Sequence, residues 1–249
     1  MRRLLPEPAE DTTIDALVAT LRPWENAPAD RPRVLSNFVI SLDGRTTVGG
    51  VSRPLGSDTD TSMLVALRTR VDAVMIGAAT MRAERYGRVV GDPAKRARRE
   101  EAGLSPDPLF AVVSGSLDLP WDAPLFSEEG GRVVIFTTSE SDLPDTDVPI
   151  EVIRHEGGLD LAAALAYLRT EEGVRALLCE GGAHLHGALH QAGMVDEMFV
   201  THAPKLVGGS GPGLVAGLPQ ELRALEIAWL VAEPDTCEVF ARYKLAADG

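Results

Sequence analysis

The sequence predicts an α/β domain with a mainly parallel central sheet flanked by helices. Three observations predict it. Apolar runs recur along the chain, and most are too continuous to be half-exposed strands, so both sheet faces should be covered. Helical patterns lie between several of these runs, which argues for parallel connections. Two runs stop at glycines that lead into a helix, the kind of corner where a ligand's phosphate can approach the main chain.

Residues 1–31 are rich in proline, alanine and acids and read as an N-terminal extension on a flexible lead. Within it, Ile14, Leu17, Val18 and Leu21 fall on one helical face behind a Thr13 cap. Residues 32–246 read as one domain. Strand-like runs fall at 34–40, 73–76, 109–113, 133–136, 150–153, 176–179, 198–201, 225–230 and 237–243. Helical patterns fall at 59–70, 159–170 and 183–192, the last ending at Gly193. The final two runs, joined by Ala-Glu-Pro-Asp at 232–235, read as an antiparallel C-terminal hairpin at the sheet edge. Apolar on much of both faces, that edge calls for pairing or cover, so a homodimer is expected. The segment 91–108 breaks the pattern. Its Lys95, Arg96, Arg98 and Arg99, followed by Glu100 and Glu101, read as a short solvated helix in a long loop, with phosphate recognition as the other reading.

The 249 residues, 45% hydrophobic, suffice for a substantial core, and the net charge of −13 repels nucleic acid and acidic membrane surfaces. No apolar run approaches the roughly 20 residues that span a bilayer. The opening Met-Arg-Arg-Leu-Leu-Pro-Glu-Pro turns acidic where a signal peptide needs its hydrophobic region, so a cytoplasmic location is expected. Cys179 and Cys237 both lie in predicted strands and read as small buried hydrophobes, not a bridge. Trp24, Trp121 and Trp229 read as packing residues.

The first corner is 175–188, an apolar strand stopping at Glu180-Gly181-Gly182 before a helix start whose free amides and dipole favour a pyrophosphate. The second is 72–80, where Gly77 ends a strand and Thr80 offers a hydroxyl at a helix start. Together they suggest a nucleotide lying across a sheet. Ligands of open α/β sheets bind beyond the carboxyl ends of the strands, which puts Asn37, Ser41 and Asp43 of the first long strand near the substrate. No Gly-Lys-Ser/Thr follows a glycine-rich loop, and no Pro-Cys-x-x-Cys is present, which argues against a nucleoside-triphosphate engine and a zinc deaminase. His186 and His190, four apart, lack a carboxylate third ligand and read as helix-surface histidines; no metal is expected.

Taken in order, Ser-Leu-Asp-Gly at 41–44, Leu67-Arg68, Asp72-Ala-Val, Gly-Ala-Ala-Thr at 77–80, Glu-Gly-Gly at 180–182, Gly-Met-Val-Asp-Glu at 193–197 and Ala-Pro-Lys-Leu-Val-Gly-Gly at 203–209 form one set. It resembles the reductase half of bifunctional riboflavin-biosynthesis enzymes and the stand-alone pyrimidine reductases, of the dihydrofolate-reductase-like fold. The likeness covers about residues 33 to 244. It implies NADPH as cofactor, with Val39 beside it, Thr80 on it, Ser114 near its adenosine end, and Gly182, Ala183, His184 and Leu185 at its pyrophosphate, where the residue reading already places Gly77 and Gly181. It further implies that Glu180 and Ser52 contact substrate, that Arg68 matches a basic residue for a ribose phosphate, and that Asp60 corresponds to an acid resembling the pterin-binding carboxylate of dihydrofolate reductases. Pro54 and Glu84 stand where the bifunctional enzymes tend to have Trp and Asp.

Each residue also has a structural reading. Asp60 is a substrate ligand or a helix N-cap; Glu180 is a ligand in preference to a salt bridge; Arg82 and Arg85 neutralise a 2′-phosphate or are surface charges. The expected reaction is reduction of 5-amino-6-ribosylamino-uracil 5′-phosphate to its ribitylamino product, with Asp60 and Glu180 as catalytic candidates. Dihydrofolate-type reduction of a pterin and non-catalytic NADPH binding are the alternatives.

Overall fold

The computed structural model describes residues 1–25, 27–128 and 131–245. Its strands are β1 (Arg2–Leu5), β2 (Arg33–Ile40), β3 (Ala73–Gly77), β4 (Leu109–Val113), β5 (Val133–Thr137), β6 (Ile150–Arg154), β7 (Ala176–Cys179), β8 (Glu197–His202), β9 (Leu225–Glu233) and β10 (Glu238–Leu245). The helices are α1 (Ile14–Ala19), α2 (Asp58–Arg68), α3 (Ala78–Glu84), α4 (Pro93–Glu101), α5 (Leu161–Thr170) and α6 (Ala183–Gln191). One sheet runs in the order β1-β9-β10-β8-β2-β7-β3-β4-β5-β6. From β8 to β6 every neighbour is parallel, whereas β10 is antiparallel to β8 and β9, and β9 to β1. The expected parallel centre and antiparallel hairpin are therefore both present.

Alternate residues of the central strands enter different cores. Val74 and Ile76 of β3 join Leu17, Met63 and Leu67 on the face of α1 and α2, while Ala73 and Met75 join Leu165, Leu185 and Leu189 on the face of α5 and α6. With both faces buried, an uninterrupted apolar run is what a central strand needs.

Four features depart from the sequence reading. Residues 1–31 carry the expected capped helix, but their start is not a loose lead: β1 pairs with Leu230–Ala232 of β9, and Leu17, Val18 and Leu21 are buried. The hairpin edge is thus covered over that stretch, leaving Leu225 and Ile227 exposed further along β9. α4 is anchored instead of wholly solvated, because fully buried Arg99 donates to the carbonyls of Val71 and Ser105 at 2.8 Å and to that of Arg68. Its neighbours Arg96 and Arg98 pair with Asp107 and Asp15, which occupies the charges a phosphate would need. Cys179 is buried in β7, where burial pushes its thiol up to about 12, but Cys237 is exposed at the hairpin turn with φ 56°.

Candidate functional site

The carboxyl ends of β3 and β7 meet. Glu180 N donates to Met75 O at 2.9 Å and Gly77 N to Gly181 O at 2.8 Å, so the two glycine corners are one structure. Gly181 has φ +104°, a conformation open to glycine and strained for other residues, and the Gly181–Gly182 peptide is cis. A Cβ on Gly182 would lie 2.9 Å from Thr80 Oγ1 of α3. α3 begins at Ala78 with Gly77 as N-cap, two residues before the Thr80 start expected. Gly182 is the N-cap of α6 and offers no side chain to the first-turn amides, with Ala183 and Leu185 buried behind them and His184 exposed beside them. One strand further, Ser114 follows β4; its Oγ is buried without a partner among the described residues. Cradle, bare helix start and orphaned hydroxyl lie along one edge, and they fit a dinucleotide.

Asp60 sits in the first turn of α2. The cap is not its own: Ser57 Oγ accepts from Thr59 N at 3.1 Å and Asp60 N at 3.2 Å. The Asp60 carboxylate turns inward, where Oδ1 is buried without a hydrogen bond and a Cβ on Gly56 would come within 2.2 Å of Oδ2. Burial raises its pKa to about 6, Glu238 adds repulsion, and the Thr201 hydroxyl and Lys205 oppose the rise. Thr201 pairs in register with Val39 of β2, which neighbours β7. Two strand spacings, about 10 Å, thus separate the Asp60 neighbourhood from the glycine corner. Val39, 9% exposed, packs with Leu55 and Ala203 between them. Asn37 lies on β2 two residues earlier, mid-strand opposite Phe199, and Lys205 Nζ holds the adjoining loop through Pro54 O and Leu55 O.

Other candidates prove to be occupied. Glu180 and Arg68, expected to touch substrate, hold each other: Nε to Oε1 is 2.7 Å, Nη2 to Oε2 is 2.6 Å, and Tyr86 donates to Oε2 at 3.0 Å. Both side chains are nearly sealed, Arg68 at 11% and Glu180 at 3% exposure, and removing one partner would leave a buried unpaired charge costing about 3–5 kcal/mol. Burial and the Glu180 charge push the Tyr86 hydroxyl well above its usual pKa, so it stays a donor. The triad therefore braces the strand ends beneath the site. Ser41 braces too, donating to Asp43 Oδ1 at 2.7 Å while accepting from Arg45 N at 2.9 Å. Asp43 in turn takes the amides of Val207 and Gly208, and with Ser41 these hold its pKa down to about 2. Ser52 donates from N and Oγ to Glu84 Oε1, which latches the 48–55 loop to α3. Arg82 and Arg85 pair with Asp118 and Asp122.

His186 and His190 are buried, not surface residues. His186 Nδ1 faces Leu214 O at 3.0 Å, the two Nε2 atoms lie 3.1 Å apart, and burial lowers both pKa values, that of His186 to about 4. The segment 214–216 covers α6, with Ala216 O so near that a Cβ on Gly187 would lie 1.9 Å away. Tyr86 and the Glu238 that accepts from Ser57 were absent from the sequence candidates; each meets its partner only through the fold.

The model of the RibD C-terminal domain matches residues 32–237. A 2,5-diamino-6-ribosylamino-4(3H)-pyrimidinone 5′-phosphate reductase from Archaeoglobus fulgidus is 30% identical over 185 residues, covering 72% of this chain and 83% of the relative. The RibD riboflavin biosynthesis protein of Mycobacterium tuberculosis is 30% identical over 191 residues, and the match takes in 47% of its length. Among solved structures, a pyrimidine reductase-like protein from Corynebacterium diphtheriae superimposes with TM-score 0.79 at 24% identity over 95% of this chain and 100% of that one. A Thermotoga maritima deaminase/reductase gives 0.68 at 18% identity, covering 87% and 57%. With its parallel sheet, glycine corner and matched residues 32–237, the chain belongs to the RibD C-terminal domain family, the reductase family of riboflavin biosynthesis.

Proposed function

We propose that this protein transfers hydride from NADPH to a ribosylamino-pyrimidine 5′-phosphate, giving the ribitylamino product. One observation carries the reading: the joined Gly77 and Gly181–Gly182 corners lie two strands from Thr201, whose neighbour Asp60 has a carboxylate oxygen buried without a hydrogen bond. The nicotinamide, when bound, supplies the hydride. The chain's own task is positioning. The α6 amides and Thr80 hold the pyrophosphate, and Ser114 offers its free hydroxyl one strand on. Val39, Leu55 and Ala203 make an apolar floor that excludes water, and the Asp60 carboxylate accepts from N–H groups of the heterocycle. With a pKa near 6, Asp60 is mostly ionised at neutral pH, which suits an acceptor better than a proton donor.

Turnover followed by loss of nicotinamide absorbance tests this, with 5-amino-6-ribosylamino-uracil 5′-phosphate, its 2,5-diamino-pyrimidinone counterpart and dihydrofolate offered in turn, each with NADPH and NADH. Oxidation of NADPH with a pyrimidine is the expected result. Turnover of dihydrofolate alone would replace the substrate assignment, and tight NADPH binding without turnover of any of them would leave a binding protein. A homodimer through the exposed Leu225 and Ile227 belongs to the same proposal. Light scattering should give twice 26.6 kDa, falling to the single mass in Ile227→Asp; a single mass for the parent ends that part.

A further inference from the structure

At the opposite end of the sheet a cavity of about 170 Å³ opens between the segment after α1 and the starts of β2 and β8. Four cations, Arg22, Arg33, Arg242 and Lys244, line it against two carboxylates, Glu25 and Glu197. That balance is unexpected in a chain whose 37 acids outnumber its 24 lysines and arginines.

The hydrogen bonds show where the surplus lies. Glu197 accepts from Arg33 through Oε1, at 2.8 and 3.3 Å, and from Arg242 Nε through Oε2, at 2.6 Å. One carboxylate between two guanidinium groups leaves one positive charge over. Among the described residues, no protein acceptor takes Arg33 Nη1 or the two terminal nitrogens of Arg242. Lys244, in register with Glu197 across β8 and β10 and with Glu226 across β9, makes no hydrogen bond or ion pair within 4.0 Å among the described residues, although Glu226 offsets part of its charge. Trp229 pairs with Arg242 across β9 and β10, so the two share a sheet face. Its indole N–H is buried without an acceptor. Among the groups that line the cavity donors outnumber acceptors, Trp229 lying in the core beside it, and fixed guanidinium forks match the oxygens of a phosphoryl group.

We infer that this cavity is an anion site for a phosphoryl group, formed by Arg33, Arg242 and Lys244 and separate from the catalytic edge. Arg33 begins β2 and Ile40 ends it, so about 23 Å of strand lies between the two. The room suffices for a phosphate or the phosphate end of a small ester, not for a dinucleotide.

Thermal unfolding of the full chain tests the site, with inorganic phosphate, ribose 5-phosphate and sodium chloride at matched ionic strength. Millimolar phosphate or its ester should raise the Tm where chloride does not. Lys244→Glu should weaken that response by on the order of tenfold or more, since it reverses one of the charges that line the cavity. Lys244→Gln, neutral and of similar length, serves if the reversal disturbs the fold. Gly182→Val, altered at the far end of the sheet, should respond as the parent does. A response to the ester alone identifies a phosphate monoester as ligand, and an equal response identifies free phosphate. Unchanged binding in both Lys244 variants, loss of binding in Gly182→Val, or no response beyond that of chloride would overturn the site. None of these outcomes depends on reductase activity.

Discussion

Gly182→Val is expected to weaken NADPH binding by about a hundredfold while leaving a folded protein. The fold should tolerate the change because Gly182 has φ −80° and ψ −169°, an extended backbone open to a branched residue, in contrast to Gly181 at φ +104°. Binding should not, because a Cβ there lies 2.9 Å from Thr80 Oγ1, so the Thr80 hydroxyl assigned to the pyrophosphate must shift, and a branched side chain now stands at the bare N-cap of α6. Losing that contact costs about 3 kcal/mol, which is the hundredfold. Fluorescence titration of NADPH against parent and variant, with circular dichroism confirming the fold, reads the result. Parent-like affinity in a folded variant would mean that the pyrophosphate lies elsewhere.

That corner was legible in the sequence because its signals are local: an apolar run, two glycines and a helical pattern follow one another within fifteen residues. The central strands were legible for the same reason, since burial on both faces leaves a continuous run. β1 was not. Arg-Arg-Leu-Leu before Pro6 has no period to read, and its place in the sheet depends on β9, more than two hundred residues away. The partners of Glu180 were hidden in the same way. An acid at a strand end reads as a ligand until Arg68 and Tyr86, brought from α2 and the segment after α3, take both its oxygens. The histidines were misplaced because four-residue spacing shows a helix face but not the 214–216 segment that covers it. Asp60 carried a partial signal. Ser57 stands three residues before it and caps the helix, whereas the reciprocal bond that a capping box would ask of the Asp60 side chain is not made, a difference the spacing alone does not show.

Asp60→Asn is expected to lower reductase turnover at least tenfold, to leave NADPH affinity near the parent value, and to make the protein without ligands more stable at neutral pH. The first two follow from position: the carboxylate lies beside Thr201, two strands from the glycine corner, so the substrate loses a charged acceptor and the cofactor loses nothing. The third follows from the pKa. Burial raises Asp60 from 3.8 to about 6, so the folded protein binds this proton more tightly than the unfolded chain, and holding the charge costs stability. That cost is absent below about pH 4, grows as pH rises through 6, and is complete above it. A neutral asparagine escapes it. A shift of about two units corresponds to roughly 3 kcal/mol as an upper bound, so a gain of about 1–3 kcal/mol is expected at pH 7.5, shrinking towards nothing at pH 4. Denaturant unfolding at the two pH values measures the gain, and steady-state kinetics at pH 7.5 measure the loss. An activity deficit paired with a stability surplus marks a residue kept for chemistry at the expense of the fold. Parent-like turnover would remove Asp60 from the substrate site, and lower stability at pH 7.5 would show that the Thr201 hydroxyl and Lys205 outweigh the cost of burial.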